Sequence, residues 1–188
     1  MRVIAGTARG RRLKELPGMD TRPTTDKVKE SMFNIIQFDI EGRNVLDLFG
    51  GSGQLTVEAL SRGADRATVV ERNPAAVKII RENVAACEFT DRVKLLPSDA
   101  KVFLAGCREK FDLVFLDPPY ALRLLPKVTA ELYDADMLSE GALVICEDEE
   151  GGLEEDVMVK ARYDLVKSSR YGRVHITILT PKTEDEEA

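Results

Sequence analysis

The sequence predicts an α/β fold: a doubly wound, mostly parallel sheet of seven strands with an antiparallel pair at one edge, preceded by a small N-terminal hairpin and helix. Three observations predict it. Short apolar runs alternate with helix-like segments between residues 44 and 147, the pattern of βαβ units around a parallel sheet. A glycine-rich turn, DLFGGSGQL (Asp47 to Leu55), falls where the first strand gives way to a helix. After Glu147 two β-rich segments follow each other directly, which sets an antiparallel pair at the edge.

Each element has a local reason. RVIAG and RRLKEL pair as a hairpin, and TTDKVKESMFNIIQF reads as a helix capped by Thr25 or Asp26. In that helix Val28, Met32, Ile35 and Ile36 fall at i, i+4, i+7 and i+8, one apolar face suited to core packing. The strands are NVLDLF (44 to 49), ATVVE (67 to 71), VKLLP (93 to 97), FDLVFLD (111 to 117) and ALVICE (142 to 147). GQLTVEALSRG, NPAAVKIIRENVAAC and LLPKVTAELYDADML are the helices between them, the second opened by an Asn73 cap and Pro74 at the first helical position. VMVKARYDLVKSSRYG and VHITILTP supply the edge pair. The whole chain, 1–188, reads as one domain: a hairpin and helix extension over 1–40, a core over 41–181, and an acidic, disordered tail over 182–188.

Composition narrows the function. No apolar run approaches the roughly 18 residues that span a bilayer, and the arginine-bearing N-terminus lacks the apolar stretch of a signal peptide, so a cytoplasmic protein away from membranes is expected. Cys87, Cys107 and Cys146 show no metal-ligand spacing, so reduced thiols, no disulfide and no metal site are expected. The net charge of −6 argues against nucleic acid as a partner, but residues 1–30 are net +4. Monomer is the default expectation.

The glycine turn lets backbone N–H groups approach a ligand closely. Glu71 ends the next strand, about 20 residues on, where an acid takes the two hydroxyls of a ribose. Together they indicate a nucleoside ligand. A dinucleotide fingerprint needs a third glycine where this chain has Thr56, which weakens a pyrophosphate reading. Asp47 beside the loop suits an amino group instead, and S-adenosylmethionine carries an ammonium and no phosphate. Asp99, in LPSDA after the third strand, lies within reach of an adenine amino group. Either acid alone reads equally well as a loop or capping residue.

FDLVFLDPPY ends a buried strand on an acid, two prolines and a tyrosine. The C-terminal end of a parallel strand opens onto the ligand crevice. Pro118 and Pro119 fix the backbone and remove two N–H donors, leaving acceptors. Asp117 and the Pro118 carbonyl suit the two hydrogens of a planar amino group, and Tyr120 offers a face on which a base stacks. A rigid strand-to-loop corner is the plain structural alternative.

On these segments the chain resembles a class I S-adenosylmethionine-dependent methyltransferase of Rossmann-like fold. More narrowly, it resembles the bacterial family that methylates the exocyclic 2-amino group of a guanine in 16S ribosomal RNA. The resemblance rests on IAGTARGRRL, RPTTDKVKESMFNII, DLFGGSGQLTVEALSRGA, the VVERN and SDA turns, DPPY and RYG, which reach across nearly the whole chain. It implies that Gly51 and Gly53 line the cofactor, that Glu71 holds the ribose and that Asp99 meets the adenine; Asp47, Gly50, Arg72 and Ala100, beside them, are expected in the same cofactor site. Asp117, Pro118, Pro119 and Tyr120 then hold the target amine. Arg9, Arg11, Arg12 and Arg22, with Thr24, become contacts to 16S rRNA, within an assembled or assembling small subunit. The family commonly has alanine at Gly50 and glycine at Thr56, and an acid and threonine where this chain has Arg173 and Val174.

Transfer is expected to be direct and in line, with no cysteine nucleophile beside DPPY and with His175 structural. Two rivals remain: an N-methyltransferase acting on DNA adenine or cytosine or on a protein glutamine amide, and a nucleotide-binding oxidoreductase or silent RNA-binding module.

Overall fold

A computed structural model describes residues 1–16, 26–119 and 124–183. The expected class is found, α/β with a mostly parallel seven-stranded sheet and an antiparallel edge pair. The chain divides into two compact units, Met1–Phe103 and Leu104–Ala188. Tyr120, Arg22 and Thr24, and the tail from residue 184, lie outside the described residues.

The first unit holds α1 (Asp26–Ile35), β1 (Asn44–Asp47), α2 (Gln54–Ser61), β2 (Arg66–Glu71), α3 (Pro74–Ala86) and β3 (Val93–Pro97). Its strands lie in the order β3-β2-β1 and pair in parallel. The register sets Asp47 opposite Val69 and Glu71 opposite Pro97, so β2 reaches two residues beyond the end of β1. All of β1 is buried, as a parallel strand covered on both faces must be. The Asn73 side chain caps α3 by accepting from the Ala75 N–H at 2.9 Å, with Pro74 following it. The buried stripe of α3 is Ala76, Val77, Ile80, Asn83 and Val84, a helical repeat with one polar member.

The expected hairpin is present as a short antiparallel pairing: Arg2 bridges Arg12, the Val3 N–H donates to the Arg11 carbonyl at 3.0 Å, the Gly10 N–H to the Val3 carbonyl at 2.9 Å and the Leu13 N–H to the Met1 carbonyl at 3.1 Å. Residues 1–16 form an arm that is also tied to other parts of the unit, mainly through side chains of α2 and α3. The Thr7 N–H donates to the Ser61 carbonyl at 2.8 Å and the Ala8 N–H to Ser61 Oγ at 2.9 Å. A Cβ on Gly6 would stand 1.7 Å from the Ser61 carbonyl oxygen, so only glycine lets the arm lie this close. Every residue of α2 is buried.

Helix α1 turns Val28, Lys29, Met32 and Phe33 inward, with Ile36 buried just past its end and Ile35 only half-buried. The helix stops short of the expected QF end, leaving Phe38 90% exposed. Lys29 was no part of the apolar face read from sequence. Its burial is made possible by Glu58, 3.5 Å away, and by the Arg2 carbonyl at 2.7 Å. Glu58 also accepts from Arg62 Nε at 2.8 Å and from the N–H groups of Ile4 and Ala5 at 2.9 and 3.0 Å. A buried charge persists only when paired and hydrogen-bonded in this way.

The boundary between units falls inside α4 (Ala100–Gly106), a two-turn helix absent from the sequence reading because seven residues carry too little periodicity. The second unit continues with β4 (Phe111–Leu116), α5 (Leu125–Asp134), β5 (Leu138–Asp148), α6 (Val157–Arg162), β6 (Tyr163–Tyr171) and β7 (Val174–Pro181). Strand β4 is parallel to β5, and β5-β7-β6 are antiparallel neighbours. The segment VMVKAR, expected as the start of an edge strand, is the helix α6. Asp156 caps it, accepting from the Met158 N–H at 2.8 Å, and Lys, Ala, Arg and Met favour the helix once capped. Among the described residues no helix is long and apolar enough to cross a membrane.

Candidate active site

In the first unit the C-terminal ends of three parallel strands form one rim. The loop from Phe49 to Gly53 is held by Gly50 N–H to the Val70 carbonyl at 3.0 Å and by Gly53 N–H to the Gly50 carbonyl at 2.7 Å. Gly53 precedes α2 with φ at 77°, a left-handed conformation that suits glycine. At Gly50 the reason is space. A Cβ would stand 2.5 Å from Val69 Cγ1 and 3.0 Å from Ile80 Cδ1, so the loop lies flat on the sheet and on α3.

Glu71 is the centre of this rim. It accepts from the Gly51 N–H through Oε2 at 2.9 Å and from the Asn73 N–H through Oε1 at 2.7 Å. Two backbone donors thus fix the carboxylate, and each oxygen keeps a second lone pair for a diol. The Ser98 N–H donates to the Glu71 carbonyl at 3.2 Å, tying the ends of β2 and β3. Beyond it, Arg72 Nη1 lies 3.4 Å from Asp99, whose other oxygen accepts from the Lys101 N–H at 2.9 Å. Ala100 opens α4. The eight expected cofactor residues, Asp47, Gly50, Gly51, Gly53, Glu71, Arg72, Asp99 and Ala100, therefore gather on this one rim.

Asp47 is 2% exposed, and Thr56 Oγ1 donates to its Oδ2 at 2.8 Å. Burial pushes its carboxyl up to about 6; the Thr56 hydrogen bond opposes this, and the charge of Glu71 adds to it. The residue that breaks the dinucleotide fingerprint is thus the partner of the acid beside the loop. No sequence signal marks a pair nine residues apart across a turn.

In the second unit Asp117, Pro118 and Pro119 follow β4 directly. Asp117 is half-buried, Pro118 buried and Pro119 exposed. Neither proline has an N–H, so the segment offers acceptors. The register of β4 with β5 sets Cys146 opposite Leu116, one residue before Asp117, a neighbour the sequence did not reveal. Cys146 is fully buried and its thiol is pushed far up by burial, so it is not a thiolate nucleophile.

Of the expected RNA contacts, Arg9, Arg11 and Arg12 are exposed on the arm. Arg11 is already engaged, donating to the Ala86 carbonyl at 2.9 Å and to Glu88 at 3.1 Å. Sequence reasoning missed Thr56, Glu58 and Asn83. Asn83 had a signal, as a polar residue on the apolar stripe of α3.

The family model described as "Conserved hypothetical protein 95" matches residues 1–180. Ribosomal RNA small subunit methyltransferase D of Escherichia coli is 34% identical over 187 residues, covering 99% of this chain and 92% of the relative. YlbH of Bacillus subtilis is 40% identical over 150 residues, 78% of this chain and 82% of its own length. The structure of yhhF from Escherichia coli superposes with a TM-score of 0.85 at 34% identity, covering 98% of this chain and 99% of that one.

Proposed function

The chain belongs to the family described as Conserved hypothetical protein 95, and from that premise we propose that it is an S-adenosylmethionine-dependent rRNA methyltransferase that modifies the exocyclic 2-amino group of a guanine in 16S rRNA. The observation that carries the cofactor is Glu71, held by the Gly51 and Asn73 N–H groups on a rim that also bears Asp47 and Asp99. A pyrophosphate would meet three carboxylates there, and Arg72 is already engaged with Asp99. A ligand with a diol, an ammonium and an adenine amine matches the same groups. S-adenosylmethionine fits this donor set and a dinucleotide does not.

When bound, the cofactor supplies an electrophilic methyl group. Glu71 would take the ribose hydroxyls, Asp99 the adenine amine and Asp47 the ammonium, while Gly50 and Gly53, where a Cβ would press on Val69 or Ile80, let the loop lie close on the sheet and α3. Asp117 and the Pro118 carbonyl accept the two hydrogens of the target amine, turning its lone pair out of conjugation. The methyl would pass directly to the amine nitrogen, the S–CH3 bond breaking as the N–CH3 bond forms, so that S-adenosylhomocysteine would leave and the surplus amine proton would pass by way of Asp117 to water. The amine turns acidic once it carries the methyl, so Asp117 acts by orientation and charge stabilisation more than as a strong base. Tyr120 stacks on the base.

The substrate is 16S rRNA in an assembled or assembling small subunit, met by the arm of a cytoplasmic monomer. Mapping methylation on rRNA from cells lacking this protein tests the reading. Loss of one N2-methylguanine in 16S rRNA, restored by the purified protein and cofactor, supports it. Intact rRNA methylation, with activity on DNA or a protein amide, overturns it.

A further inference from the structure

Asn83 lies on the buried stripe of α3, 1% exposed, and its amide makes three hydrogen bonds. Oδ1 accepts from the Lys14 N–H at 2.7 Å, and Nδ2 donates to the Lys14 carbonyl at 3.0 Å and to the Ser52 carbonyl at 2.8 Å. Lys14 belongs to the arm, two residues after Arg12. Ser52 lies between Gly51 and Gly53 in the loop fixed on Glu71. One side chain thus joins the loop assigned to the cofactor with the segment assigned to RNA. An apolar side chain would cover α3 equally well at no polar cost, whereas an amide bonded on both sides sets the two segments in register.

We infer that Asn83 is a positioning residue that couples the glycine loop to the N-terminal arm, so that S-adenosylmethionine and rRNA bind with positive cooperativity. This rests on the proposed function for both ligands. A cofactor seated on the loop selects the conformer in which the Ser52 carbonyl meets Nδ2. That fixes the amide, and the amide holds both polar groups of Lys14. The arginines are then presented in one arrangement before RNA arrives. The coupling is reciprocal, as linkage requires, and one hydrogen bond's net contribution sets its size at about fivefold.

The test uses the full chain and S-adenosylhomocysteine, the unreactive product. Residue-resolved hydrogen exchange is measured at the Lys14 amide, with calorimetry on the same sample. At saturation the Lys14 amide exchanges about fivefold more slowly, and undermethylated small subunits bind about fivefold more tightly than without the ligand. In Asn83→Asp, which still accepts from the Lys14 N–H but has no donor for the Ser52 or the Lys14 carbonyl, both ratios fall to near one. Wild-type Lys14 exchange indifferent to bound ligand overturns the inference alone, and needs no variant that must fold. Wild-type ratios kept in Asn83→Asp overturn it too. No calorimetric binding overturns the cofactor reading, and the coupling with it.

Discussion

The Thr56 hydroxyl donates to the buried Asp47 carboxylate across the glycine turn, at 2.8 Å. An acid whose pKa rises on folding stabilises the protein only while protonated. Asp47 moves from the ordinary 3.8 to about 6, so stability is full below pH 4 and is lost as pH climbs to about 6. The loss is about 3 kcal/mol. Wild type minus Asp47→Asn, followed by chemical denaturation of the free protein, falls by that order between pH 4 and pH 7. Thr56→Val removes the bond that favours the ionised form, so it moves the window upward and costs about 1–2 kcal/mol at pH 7.

Cofactor affinity follows the same group. An ammonium placed beside Asp47 favours the carboxylate, so binding draws a proton off it between pH 5 and pH 7. Calorimetric affinity for S-adenosylmethionine rises across that interval in the wild type. In Asp47→Asn the rise is absent.

Glu71→Gln leaves one backbone donor, at Gly51 or Asn73, facing an amide N–H in place of an oxygen. It also loses charge-assisted bonds to the diol, about 1.5–3 kcal/mol. Affinity for S-adenosylmethionine falls roughly tenfold to a hundredfold. Unchanged affinity would remove Glu71 from the ribose.

Asp117→Ala acts on the chemical step. Losing one charge-assisted hydrogen bond to the target amine lowers turnover about tenfold to a hundredfold, with the cofactor dissociation constant within about threefold of wild type. Single-turnover kinetics at saturating cofactor separate the two quantities.

The arginines of the arm are not equivalent. Arg11 is held by the Ala86 carbonyl and Glu88, whereas Arg9 and Arg12 are exposed and make no ion pair among the described residues. Replacing either of these with alanine lowers affinity for small subunits and reduces the slope of log K against log salt by about 0.7–0.9. Arg11→Ala has the smaller effect on the slope.

Strands were legible because parallel strands are short apolar runs, and the glycine turn because its chemistry is local. Helix α4 was not, since two turns show no reliable period, and α6 was misread because the β-branched Val157 and Val159 of VMVKAR favour a strand until the Asp156 cap is known. The acids of the rim were found by position alone. Their partners were not: Thr56 reaches back nine residues to Asp47, and Glu58 gathers Ile4, Ala5, Lys29 and Arg62 from three places in the chain. Charged residues within helices read as solvated, and only tertiary structure reveals the exceptions.

The carboxylate of Glu58, capped by the Ile4 and Ala5 N–H groups, makes the first sixteen residues a lid on the protein's interior. A shortened version trimmed to a minimal catalytic fragment would strip the cover from α2 and leave Glu58 with Lys29 and Arg62 but without its two backbone donors. Grafting this leader onto another enzyme would fail for the mirror-image reason, because its conformation is borrowed from the helix beneath.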